Sequence, residues 1–266
     1  VIAEVAREHR VVVTHGSGPH VGLLAQRAEA DEGLWQETLD VLGAETEGMI
    51  GYPLEREIRN HLRDRPVATL LTQVVVDPRD PAFLEPTKPI GSVYAREEAE
   101  RLARERGWTI APDGAGWRRV VPSPDPIRIV ELESVRALVD AGHVVVCVGG
   151  GGVPVREAPD GALVGVEAVI DKDLATSLLA IGLDADVLCL LTDVRGVIAE
   201  WPSSGEPIRS LTVAEARGLD LASGSMGPKV LAASRFAEAT GRAAVIGAME
   251  DARALVAGAA GTRVVR

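Results

Sequence analysis

The chain has 266 residues, 46% apolar and 25% charged, enough to bury a large core without disulfide or metal staples. A net charge of −11, with no basic stripe interleaved with aromatics, argues against nucleic acid as a partner. No secretory leader and no long apolar span is evident, so the reading is a cytoplasmic protein without membrane contact.

Taken in chain order, a helical pattern over Val1–His9 leads into a strand at Arg10–Thr14 and a glycine-rich turn, Thr14-His15-Gly16-Ser17-Gly18-Pro19-His20-Val21-Gly22. A helix is expected over Leu39–Asp64 and a strand over Val67–Val76. Asp77–Pro126 is proline-rich, holds two of the four tryptophans and shows one helical pattern, Ala95–Arg106. It reads as a protruding, loop-rich subdomain. Beyond it come a helix at Ser134–Ala141, a strand at His143–Val148 and the run Gly149-Gly150-Gly151-Gly152-Val153-Pro154. Then follow a helix at Lys172–Ile181, a strand at Asp186–Leu191, a capping box at Thr212 and Glu215, a helix at Pro228–Ala239, a strand at Ala243–Ala248 and a helix at Asp251–Gly258. Apolar strands alternating with helices predict an α/β fold with a mostly parallel sheet. With aromatics at only 3%, Val, Ala and Leu must fill the core. Cys147 and Cys189 sit in apolar runs and read as reduced, buried thiols. Residues 1–155 and 156–266 read as two lobes, with the subdomain at about 84–126 belonging to the first.

Three lysines stand against twenty-five arginines, and none lies on a charged helical face. Lys88 is in Pro86-Thr87-Lys88-Pro89, Lys172 in Asp171-Lys172-Asp173, and Lys229 in Gly224-Ser225-Met226-Gly227-Pro228-Lys229. A chain that uses Arg elsewhere but Lys in these settings points to sites that need a compact ammonium. The strand–turn–helix at Gly16 offers free N–H groups to an anion; a plain tight turn is the alternative. His15 and His20 lack a third metal ligand nearby. Four consecutive glycines forgo packing, which argues for backbone contact with a ligand, and Pro154 excludes the dinucleotide fingerprint. The acidic residues from Glu167 to Asp173 suit a helix start, yet Lys172 opposes the dipole there. Lys229 does the same at the next helix, where a bound phosphate would relieve both charges. Together these pieces point to phosphoryl transfer, which needs alignment and cations more than covalent chemistry.

At these residues the chain resembles carbamate kinase, a branch of the amino-acid-kinase superfamily. The resemblance is carried by Thr14 to Pro19, Gly43-Ala44-Glu45 with Glu47 to Tyr52, Pro86 to Gly91, Gly116 to Pro124, Gly149 to Pro154, Glu167 to Asp173, Leu191-Thr192-Asp193-Val194, and Gly224 to Lys229. It implies an αβα three-layer sandwich, a homodimer, and ATP + carbamate ⇌ ADP + carbamoyl phosphate with Mg²⁺ carried by the nucleotide. It further implies that Lys172 and Lys229 stabilise the transferred group, that Asp173 orients them, and that Lys88 reaches in from the subdomain. Gly16, Ser17, Gly18, Gly149, Gly150 and Gly151 would line the phosphate and carbamate site, while Thr192, Asp193, Val194, Met226 and Gly227 would border the nucleotide. In such a family the reaction would run toward ATP in catabolism of arginine or related compounds. Ser17 and His20 stand where the family usually has Asn and Gln, and Arg195 and Ile198 where it has Asp and Tyr. Ala28–Thr38 differs from the family's proline-rich link. The family's first strand and its Gly-Gly-Asn turn would fall upstream of Val1. Another amino-acid kinase, or a nucleotide-binding paralogue without catalysis, is the competing reading.

Overall fold

The run Val144 to Cys147 alternates between two cores. Val144 and Val146 face one, with Ala3, Ala6, Ile58 and Leu62, while Val145 and Cys147 face the other, with Val135, Ala175 and Leu179. Strand geometry sends successive side chains to opposite faces, so one short segment is buried on both sides. The structure is a computed structural model that describes residues 1–17, 20–30, 38–198, 205–219, 221 and 226–266, without the side chains of 26–30.

The first half comprises α1 (Ile2–Glu8), β1 (Val12–Val13), α2 (His20–Ala30), α3 (Leu39–His61), β2 (Val67–Thr69), β3 (Gln73–Val76), β4 (Lys88–Tyr94), α4 (Arg96–Arg106), β5 (Thr109–Asp113), β6 (Gly116–Val121), β7 (Pro126–Ile129), α5 (Leu132–Asp140) and β8 (Val144–Val146). The second comprises β9 (Val153–Glu157), β10 (Leu163–Gly165), α6 (Lys172–Gly182), β11 (Leu188–Thr192), β12 (Ser210–Thr212), α7 (Val213–Gly218), α8 (Met226–Thr240), β13 (Ala244–Ala248), α9 (Ala252–Val256) and β14 (Thr262–Val265). β8 pairs in parallel with both β1 and β2. A second sheet runs β10-β9-β3-β7, and a third β11-β13-β14-β12. Helices α1 and α3 cover one face of the first sheet, and α5 and α6 the other. This is the expected αβα layering, with the strands divided among hydrogen-bonded groups rather than joined in one sheet.

Two expectations are corrected. Val67–Val76 is not one strand: it breaks at Leu70–Thr72, and its halves pair with β8 and β9 in different sheets. Thr72 makes the break. Its hydroxyl donates to the Leu70 carbonyl at 3.0 Å and accepts the Val148 N–H at 3.0 Å, so the ladder changes partner there. The segment Asp77–Pro126 is not loop-rich either. It forms an antiparallel sheet, β4-β6-β5, flanked by α4. Ile90 and Val121 of that sheet pack on Val21 and Ala25 of α2 and on Leu39 and Leu42 of α3. The Thr212–Glu215 capping box forms with both arms. Cys147 is buried, and Cys189 is partly buried. No described helix is long and apolar enough to cross a membrane.

Candidate active site

Three turns meet at the ends of β1, β8 and the segment before α6. The Gly150 N–H donates to the His15 carbonyl at 2.7 Å. A Cβ on Gly150 would lie 3.1 Å from the Ser17 Cβ, and one on Gly151 would lie 2.4 Å from the Ile170 carbonyl oxygen. Gly151 has φ +103, so both its conformation and its surroundings require glycine. Val148, just before the run, is left-handed with φ 53 and fully buried. A β-branched residue there is strained, and the Thr72 hydroxyl on its N–H helps to hold it. Thr14 ties the first turn to α6 by a 2.8 Å contact between its hydroxyl and that of Thr176. The cleft between these turns is lined by Ser17, Gly43, Thr46, Gly149, Gly150 and Gly152.

The lysines enter from three elements. Asp173, in the first turn of α6, divides its carboxylate between two of them. Oδ2 accepts from Lys229 Nζ at 3.0 Å, and Oδ1 lies 3.7 Å from Lys172 Nζ. The Lys229 side chain is 5% exposed and that of Asp173 8%, whereas the Lys172 side chain is 37% exposed. Asp171 caps α6, its Oδ1 accepting the N–H groups of Asp173 and Leu174 at 2.9 and 3.3 Å. Its other oxygen accepts from Lys88 Nζ of β4 at 2.7 Å. Burial works to raise the Asp171 pKa, but Lys88 and the two amides outweigh it and hold the carboxyl below its ordinary value. Three ammonium groups thus face two carboxylates, leaving one positive charge in surplus at the starts of two helices. Small residues make this possible. Ala175, Ala232 and Ala233 are fully buried, and Ser177 donates to the Ala232 carbonyl at 2.8 Å, so α6 and α8 approach closely.

His15 is held below its usual pKa by burial, and the charge of Lys172 adds to this against the hydrogen bond to Gly16. Its Nδ1 lies 3.1 Å from the Gly16 carbonyl, which only accepts, so the proton of the neutral ring sits on Nδ1. Lys88, Lys172, Asp173 and Lys229 therefore come together, beside Gly16, Ser17 and the run Gly149–Gly151. Gly18 lies outside the described residues. Thr192, Asp193 and Val194 stand at the end of β11, where the Thr192 hydroxyl donates to Asp193 at 3.0 Å. Among the described residues, no hydrogen bond or ion pair joins them to the lysine cluster. Met226 and Gly227 open the helix that carries Lys229, and Met226 packs against the C-terminal core. Sequence reasoning did not assign Asp171 its double role, although an Asp directly before a helical pattern is a capping signal. It also missed Glu47, buried in mid-helix under the second glycine turn, for which no local signal exists.

A family model described as the amino acid kinase family matches residues 1–248. The chain belongs to the amino acid kinase family. Within that family it is 51% identical to a carbamate kinase of Haemophilus influenzae over 100% of this chain and 86% of the relative. It is 50% identical to a carbamate kinase of Rhizobium meliloti, over 98% of this chain and 82% of the relative. A carbamate kinase from Giardia lamblia bound to citric acid superposes with a TM-score of 0.91 at 38% identity, covering 99% of this chain and 88% of that one. The same Giardia enzyme has also been solved bound to AMP-PNP, with a TM-score of 0.87 to this amino acid kinase.

Proposed function

We propose that this chain is a carbamate kinase that transfers a phosphoryl group reversibly between ATP and carbamate, giving ADP and carbamoyl phosphate. The observation that carries the reading is Asp173 shared by Lys172 and Lys229 beside two side-chain-free turns. The relatives named above supply the acceptor. In one direction a carbamate oxygen attacks the γ-phosphorus while the bond to the ADP oxygen breaks; the reverse exchanges these roles. The attacking oxygen is already anionic, so no general base is needed, and catalysis reduces to alignment and charge stabilisation.

Lys229 and Lys172 neutralise charge on the moving group, and Asp173 fixes where their ammoniums sit. Lys88 contributes from β4 on the carbamate side. Gly16, Ser17, Gly18 and Gly149–Gly151 line the phosphate and carbamate site. Thr192, Asp193, Val194, Met226 and Gly227 border the nucleotide. Among the described residues no cluster of three His, Cys, Asp or Glu side chains is placed to hold a metal, and Asp171 and Asp173 are both taken by lysines. That donor set fits Mg²⁺ carried on the nucleotide phosphates, where it would neutralise their charge. On this reading residues 1–155 form the carbamate and phosphate lobe and 156–266 the nucleotide lobe. The protein is a cytoplasmic homodimer working toward ATP in catabolism. The test is ATP formation from ADP and carbamoyl phosphate with Mg²⁺; turnover is expected. Binding of ADP with no turnover would replace this reading with that of a non-catalytic paralogue, and turnover only with other acyl phosphates with that of a different kinase.

A further inference from the structure

Glu47 has no part in the mechanism above, yet it is among the most buried charged-type side chains described, 2% exposed. It sits midway along α3. One carboxyl oxygen, Oε2, accepts the Thr72 N–H at 3.0 Å. The other, Oε1, is buried with no partner. Its stem forms the floor of the glycine run, since a Cβ on Gly149 would lie 3.0 Å from Glu47 Cγ and 2.5 Å from the His15 ring above. Among the described residues no hydrogen bond or ion pair joins it to a cation. The titratable groups around it are Glu131, whose oxygens hold Gln73, together with the buried Cys147 and the neutral His15.

An ionised carboxylate buried without a cation is costly, and proteins relieve such a site by neutralising the group. We propose that Glu47 is a neutral carboxylic acid in the folded protein, and that in this form it positions the glycine turn of the active site. The grip runs through Thr72. Glu47 holds its N–H, and its hydroxyl in turn holds the strained Val148 at the mouth of the run. With Oε2 accepting from Thr72, the proton resides on Oε1. The electrostatics agree. Burial raises the group most, the Thr72 amide lowers it, Glu131 raises it again, and the result is about 9.

The sign of the pH effect follows. A proton bound in the folded chain but released in the unfolded one, whose ordinary value is 4.5, stabilises most below 4.5, and that stability drains away as pH rises to about 9. Ionisation would also loosen the turn.

The experiment compares the full-length parent with Glu47→Gln and Glu47→Leu. The infrared difference between parent and Glu47→Gln at pH 7 should contain a protonated-carboxyl C=O band; a carboxylate band instead would overturn the proposal. The melting temperature of the parent should fall relative to Glu47→Gln as pH rises from 4.5 to about 9, and a constant difference would count against it. In the ATP-forming assay, Glu47→Gln should stay within about twofold of the parent at pH 7 and lack its alkaline loss, while Glu47→Leu should drop by about 10²-fold as the turn shifts. Equal impairment of both variants would refute the positioning role. The kinetic arm alone rests on the carbamate-kinase reading, so failure of that reading leaves the infrared and thermal arms intact.

Discussion

Asp173 sets the charge balance of the site, because its two oxygens serve two lysines of very different exposure. Replacing it with Asn leaves the Lys229 ammonium buried without a counter-charge. Asp173→Asn should lose about 3–5 kcal/mol of stability in urea titrations, since breaking one side of a buried pair strands the other. Lys172→Arg is a different case, as that side chain is 37% exposed and tolerates a larger head. Its melting temperature should stay near that of the parent while kcat falls by about 10²–10³-fold, the usual effect of misplacing one group that stabilises a transition state. Asp171 yields a pH prediction of the opposite sign to that for Glu47. Its carboxyl is held below an ordinary value of 3.8, so its contribution is present above that pH and is lost as pH falls through the lower folded value. Asp171→Asn should therefore be less stable than the parent at pH 7, with the gap closing in acid, as followed by circular dichroism.

At the level of elements, what local pattern encodes was legible and what distant partners decide was not. The lysine helices, the glycine run and the capping box at Thr212 are written in contiguous residues, and their positions hold to within a few residues. α8 already includes Met226 and Gly227 ahead of Pro228, and proline is accepted near a helix start because an N–H there has no intrahelical partner to lose. The break after Thr69 was invisible. Nothing in a β-branched run tells that Thr72 will bond Val148, seventy-six residues on. Sheet β4-β6-β5 was masked by prolines, which edge strands and strand starts tolerate. The lysine–carboxylate contacts likewise depend on how α6, α8 and β4 dock, so composition flagged the lysines without assigning their partners. Gly151 tests the element that the glycine run forms. With φ +103 and the Ile170 carbonyl 2.4 Å from any Cβ, Gly151→Ala must shift either the run or the Asp171 cap. Assayed for ATP formation, it should lose most of its activity while remaining folded by circular dichroism.

Across the whole molecule, the separate sheet β4-β6-β5 rests on α2 through a contact that admits no side chain. A Cβ on Gly22 of α2 would lie 2.0 Å from the Gly91 nitrogen of β4. Lys88 is three residues from that contact, so the seating of the subdomain decides whether its ammonium reaches Asp171. Gly22→Ala should lift the sheet off α2, cost about 1–3 kcal/mol as overpacking does, and raise KM for carbamoyl phosphate more than it lowers kcat. The α/β class was readable from apolar strands alternating with helices, a pattern that an aromatic-poor, Val- and Ala-rich composition suits, while the αβα order followed from the family resemblance.

The lysine cluster has a practical corollary for anyone handling the protein. All three lysine amines of the chain lie against Asp171 or Asp173. Within these 266 residues an amine-reactive reagent therefore meets no lysine outside this cluster. On the proposed function, acylation of a lysine side chain would report on the site itself, and protection by a bound phosphate compound would measure occupancy. Immobilisation through lysine amines would tether the molecule by its own cleft, so sensor surfaces call for a different chemistry.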